Sequence, residues 1–188
     1  MFPPNKLIAL IILCFSPFVA IANQPLVADV SYDNGVYSSS LSANIHAQRN
    51  AVYQLLTAYD SLNTFSRLIY KSQLLSNGNL LINIRHCFFI ICFDKRLTLS
   101  LNVSTSAVIA HVVPEHSDFK SGLLKWQLSD SQAGTFIRFS GKLAPDFWVP
   151  PIIGPILIKN KLRSEATYSF KQLEHLSQAN NDPQKKAP

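Results

Sequence analysis

Along this chain the spacing of apolar positions changes three times. In the middle it is two. Leu80, Ile82 and Ile84 alternate with Leu81, Asn83 and Arg85. Leu97, Leu99, Leu101 and Val103 alternate with Thr98, Ser100 and Asn102. Ala107 to Val113 continues the pattern until Pro114 stops it. Leu124, Trp126 and Leu128 follow, then Thr135 to Leu143, where Ile137 and Phe139 oppose Arg138 and Ser140. Period two predicts strands with one apolar face each. The Asn77-Gly78-Asn79 and Ala133-Gly134 signals predict the turns between them. Val36 to Ala47 predicts an earlier strand, carried by Val36, Leu41 and Ile45.

Two segments have helical spacing instead. Val52, Leu55, Leu56 and Tyr59 predict a short helix, and Asp60 is placed to cap a second one bearing Leu62, Phe65, Leu68 and Ile69. Near the C-terminus, Phe147 and Trp148 are followed by Pro150 and Pro151, then Gly154 and Pro155. Prolines are tolerated in a first helical turn. From Ile156 the pattern predicts a long helix whose stripe is Leu162, Ala166, Phe170 and Leu173. Lys159, Lys161, Arg163 and Lys171 fall off that stripe, and Glu165 is expected to pair with Lys161 at the surface. The order is strand, two short helices, about six strands and one long helix. Hairpin-length connections imply an antiparallel sheet, and the helix is its natural cover, which makes the class α+β.

The ends have a different character. Lys6 precedes an apolar run of about 16 residues that closes on Ala20-Ile21-Ala22. That arrangement reads as a cleavable signal over residues 1–22, and the run is short for a membrane span. An uncleaved anchor is the alternative. Residues 23–35 are expected to be a leader with a turn signal at Asp33-Asn34-Gly35. The domain is then 36–177, and the polar segment 178–188 is expected to be a disordered tail. Export places the protein in the periplasm or outside the cell.

Composition narrows the chemistry. The 188 residues are 47% hydrophobic and carry formal charge +6. Losing Lys6 with the signal leaves 16 basic against 11 acidic residues, net +5. The bases are scattered, which disfavours nucleic acid as a partner. A loose peripheral contact with an anionic membrane stays open. Of three cysteines, Cys14 lies in the signal; Cys87 and Cys92 remain. An even pair in an exported chain favours a disulfide, which on a straight strand five residues could not close. It therefore requires a bend at residues 88–91; two buried free thiols are the alternative. No metal-ligand spacing is present, and no cofactor motif. The five histidines show no HExxH spacing, and Ser140-Gly141 lacks the setting of a nucleophile elbow. Arg138 and His111 are the best candidates for a catalytic polar group, although alternation turns Arg138 toward solvent.

The segment AVYQLLTAYDSLNTFSRLI, with Tyr59, Asp60 and then Phe65, resembles a pattern of the START-like (SRPBCC) superfamily. So does SDFKSGLLKWQLSDSQAGTFIRFSGKLAPDFWVPPIIGP, with its Gly–Trp strand, Thr-led last strand and Pro-Asp-Phe-Trp/Pro-Pro lead into the helix. The likeness spans about residues 36–176 and is nearest to the exported bacterial polyketide-cyclase or coenzyme Q-binding-like branch. The resemblance implies a helix-grip fold: a curved antiparallel sheet around a long C-terminal helix, with two short helices after the first strand. It implies a cavity for a hydrophobic small molecule or lipid. The candidate lining is Tyr59, Phe65, Trp126, Phe136, Phe139, Phe147, Trp148, Ile153 and Leu157. Taken singly, each reads first as ordinary core, which is the competing reading; it is the aromatic excess of the set near one end of the helix that favours a pocket. The expected function is an exported carrier for a lipid, quinone or polyketide-like ligand. The alternatives are a polyketide cyclase/dehydratase-type enzyme in the same cavity and a structural envelope protein. Nothing in the sequence fixes the oligomeric state.

Overall fold

The computed structural model describes residues 26–88, 91–150 and 153–181. Eight strands form one antiparallel sheet: β1 (Val27–Asp33), β2 (Val36–Ile45), β3 (Ile69–Leu74), β4 (Leu80–Phe88), β5 (Ile91–Val103), β6 (Ala107–Val112), β7 (Phe119–Ser131) and β8 (Gly134–Pro145). Their order across the sheet is β1-β2-β8-β7-β6-β5-β4-β3. Helix α1 (Arg49–Thr57) and a 3₁₀ turn (Tyr59–Thr64) separate β2 from β3, and helix α2 (Ile153–Asn181) closes the chain. The architecture is α+β, with the curved sheet gripping α2, as the sequence pattern predicts.

Three boundaries differ from expectation, each for a local reason. Residues 27–33, expected as leader, form the edge strand β1. Only Val30 is buried there, so the strand shows almost no apolar alternation. The Asn34-Gly35 turn that joins it to β2 has φ of 47° and 83°, the left-handed pair that a tight hairpin requires. Leu68 and Ile69, expected on a helix, are not helical: Leu68 lies in the bend before β3 and Ile69 is its first residue. Asp60 does not cap a helix; its Oδ1 accepts from the Leu74 N–H at 2.9 Å and holds the 3₁₀ turn against β3. Finally, α2 continues to Asn181, into the segment expected as tail. The expected signal, residues 1–22, lies outside the described residues, as does the rest of the tail.

The fold has a solid base. Ile45, Val52, Thr135, Ile137 and Ser177 are almost wholly buried where α1 and the end of α2 cover β2 and β8. Thr135 Oγ1 donates to the Ala47 carbonyl at 2.7 Å, tying β8 to the β2–α1 link. His46 meets Glu174 of α2 through its ring Nδ1 at 2.8 Å and its N–H at 3.2 Å. The turn before β8 depends on Gly134. Its φ is +125°, and an added Cβ would stand 2.5 Å from the Ile45 carbonyl oxygen. The base therefore fixes α2 at its C-terminal end, and the other end of the helix passes over the sheet with space beneath it.

Cys87 and Cys92 are direct partners across the β4–β5 hairpin and form a disulfide. The chain reverses between Phe88 and Ile91, so residues five apart in sequence face each other. Residues 89 and 90 lie outside the described set.

Candidate functional site

Alternation places Tyr37, Leu41, Ile137, Phe139, Leu143, Leu124 and Trp126 on the inner face of β2, β8 and β7. Ile82, Ile84 and Leu97 come from β4 and β5. Facing them on α2 are Leu162, Ala166, Phe170 and Leu173, the stripe predicted from sequence. These two faces enclose a cavity of about 230 Å³, whose lining is overwhelmingly apolar. A second cavity of about 140 Å³ adjoins it toward the start of α2, lined by Phe93, Phe119, Phe147, Ile158 and Lys161 among others. Tyr37, Leu68, Ile84, Leu143 and Leu162 border both chambers.

Polar side chains on this lining include Asp29, Ser39, Ser40, Ser66 and Ser169 and, in the smaller chamber, His86 and Lys161; two further groups matter most for the site. The first is Glu165, which is not a surface residue paired with Lys161 but is 6% exposed. Residues 66–68 lead from the 3₁₀ turn into β3, and the N–H groups of Arg67 and Leu68 fall outside the β3–β4 ladder. Glu165 supplies their acceptor. Its Oε1 accepts from the Arg67 N–H at 2.6 Å, the Ser66 hydroxyl at 2.8 Å, the Leu68 N–H at 3.3 Å and the Ser169 hydroxyl at 3.4 Å. Its Oε2 accepts from Arg67 Nε at 3.3 Å. The Arg67 guanidinium also lies over the Tyr168 ring, 4.1 Å from its centre. One carboxylate thus pins a wall of the cavity to α2.

The second is Tyr37, 5% exposed, whose hydroxyl has no hydrogen-bond partner among the described residues. Burial, and then the neighbouring Tyr32 ring 4.7 Å away, push its pKa up to about 12. The phenol therefore stays protonated at any ordinary pH. Raising the folded pKa means the folded state holds this proton more tightly than the unfolded chain. The resulting stability is full below about pH 10 and is lost as pH rises toward 12. Unfolding free energy should accordingly fall by up to about 2–3 kcal/mol across that window. In Tyr37→Phe this part of the alkaline slope should be missing, as urea titrations at stepped pH would show.

No family model matches the sequence, and no curated protein matches it. Solved structures match by shape. A STAR-related lipid transfer protein from Xanthomonas axonopodis aligns with a TM-score of 0.59 at 12% identity, over 79% of this chain and 98% of that one. The Zhui aromatase/cyclase from Streptomyces sp. R1128 aligns at 0.55 and 9% identity, over 81% and 97%. A di-domain ARO/CYC protein of the steffimycin biosynthetic pathway aligns at 0.58 and 7% identity, over 77% of this chain. This chain spans 51% of that larger protein. The chain has the START-like helix-grip fold.

Within that helix-grip frame the sequence-predicted site residues separate into groups. Phe65, Trp126 and Phe139 line the larger chamber, with Trp126 and Phe139 in ring contact at 4.4 Å. Phe147 lines the smaller one, edge-on to Phe119 at 5.6 Å and under Lys95 Nζ at 4.5 Å. Phe136 does not join them. It is one residue out of phase with Ile137 and Phe139, so the pleat turns it to the outer face, where Arg138 lies over its ring. Tyr59 packs against the core from the 3₁₀ turn, and Leu157 is half-buried on α2; neither lines a chamber. Ile153 is the first residue of α2.

Trp148 is 75% exposed, beyond the end of β8 where no sheet neighbour sets its direction. Trp148→Ala should therefore change the unfolding free energy by no more than about 0.5 kcal/mol, the range of ordinary surface substitutions, in a urea titration. Both catalytic candidates, Arg138 and His111, are exposed on the outer face.

The sequence pattern missed Tyr37, Ser66, Leu68 and Glu165. Tyr37 had a signal: it shares parity with Leu41, Ala43 and Ile45, diluted by Ser39. Glu165 had none, because four of the five groups that donate to it belong to Ser66, Arg67 and Leu68, about a hundred positions away.

Proposed function

We propose that this protein binds a small apolar ligand in the cavity under α2 and carries it unchanged. The observation that carries this reading is the cavity itself, about 230 Å³ of apolar space between Trp126, Phe139 and the helix stripe where a structural protein would have packed core. Two neighbours in shape, a lipid transfer protein and an aromatase/cyclase, support a ligand of hydrophobic character. Export to an oxidising compartment belongs to the same proposal. The Cys87–Cys92 bond and the signal-like N-terminus support it.

The enzymatic alternative has one contact in its favour, the Ser66–Glu165 pair at 2.8 Å on the cavity wall. A proton-transferring carboxylate needs a free lone pair for its substrate. Oε1 of Glu165 already accepts four hydrogen bonds and Oε2 faces a guanidinium, so the group is committed to the fold.

The test is direct. Protein isolated from its own envelope is examined by native mass spectrometry, then stripped of lipid and offered a hydrophobic dye. A bound apolar molecule that leaves on extraction, with dye taking its place, is the expected result. Stripped protein that takes up no lipid, quinone or dye overturns the proposal.

A further inference from the structure

Tyr37 occupies the boundary between the two chambers. The side chains that share that boundary, Leu68, Ile84, Leu143 and Leu162, offer it no acceptor. Its hydroxyl is buried and unpartnered among the described residues, a state that costs stability and that phenylalanine at the same place would avoid. The chambers have a further feature in common. Neither alone reaches the roughly 300–1,000 Å³ that drug-sized ligands occupy, whereas the two joined do. A ligand of that size would extend through both and pass Tyr37 part-way along its length.

We infer that the ligand is an apolar molecule with a carbonyl-type oxygen between two hydrophobic parts, and that the Tyr37 hydroxyl donates a hydrogen bond to that oxygen. This rests on the carrier reading and narrows its ligand class. The raised pKa fits, because a phenol that stays protonated is a permanent donor. The flanking surfaces fit as well: Trp126 and Phe139 offer aromatic walls on one side, and Phe93, Phe119 and Phe147 on the other.

Benzophenone and 1,1-diphenylethylene make the test, since they share a shape and differ only in C=O against C=CH₂. Their dissociation constants are measured by dye displacement on the wild type and on Tyr37→Phe. Taking the ratio of the two ligands on each protein cancels their different solubilities in water. The ketone's relative affinity is expected to drop about five- to tenfold in the variant, the worth of one buried hydrogen bond. The ligand-free variant should unfold no earlier than the wild type. An unchanged ratio with both ligands bound overturns this inference and leaves the carrier reading standing. Failure of both ligands and of the dye to bind overturns both. Early unfolding of the variant would show that the hydroxyl has a protein partner, which also overturns it.

Discussion

Glu165→Ala is expected to lower the unfolding free energy by about 3 kcal/mol. The substitution leaves the helix intact, since alanine favours it, but strands the Ser66 hydroxyl and the Arg67 and Leu68 N–H groups. Each buried donor without a partner costs about 1–3 kcal/mol. The sum is moderated because Arg67, whose side chain is 45% exposed, sits at the solvent edge and water can reach part of the pocket. Glu165→Gln keeps one acceptor oxygen and should lose roughly half as much. Arg67→Ala should cost no more than about 1 kcal/mol, because an ion pair with one partner so exposed is worth little. Urea titrations with equal m-values give all three numbers. If Glu165→Ala falls within 1 kcal/mol of wild type, the carboxylate is not the anchor of residues 66–68. The consequence reaches function, since Phe65, Ser66 and Leu68 are wall as well as loop. A wall that loses its clamp should bind the dye more weakly.

The fate of Glu165 shows where sequence patterns stop. The α2 stripe was legible because Leu162, Ala166, Phe170 and Leu173 recur at three and four, and all four face the cavity. The strands from β4 to β8 were legible for the same reason at period two. The disulfide was legible because an even cysteine pair in a chain read as exported favours a bond, and a bond between residues five apart then requires a reversal. These are local regularities, set by backbone geometry. Glu165 lies one residue before Ala166 on the same buried side, but a carboxylate there reads as surface unless its distant partners are known. Residues 66–69 misled in the opposite direction: Leu68 and Ile69 extend a helical spacing by chance, and pairing with β4 makes the segment extended. β1 was hidden because an edge strand buries little. Phe136 belonged by composition to an aromatic cluster, yet the pleat assigns faces by parity.

The cavity and a packed core make opposite demands on one position, Ala166. This residue faces the larger chamber from the middle of α2, between Leu162 and Phe170. Ala166→Phe places an aromatic ring in space that the carrier reading gives to the ligand. If the chamber is open, the ring fills it, gains apolar burial and forces little rearrangement. Stability should then change by no more than about 1 kcal/mol, with the gain in buried area at about 25 cal/mol per Å² offsetting the lost helix propensity. Ligand affinity should fall at least about 100-fold, or 2.7 kcal/mol, because ligand and ring compete for one volume. If the site is instead solid core in solution, the same ring is over-packing and should cost about 1–3 kcal/mol. Dye binding and a urea midpoint measured on the same preparation separate these outcomes. A variant that keeps wild-type dye affinity would place the ligand elsewhere on the molecule. One that loses stability without any ligand effect would make the space under α2 a packing feature and not a binding site.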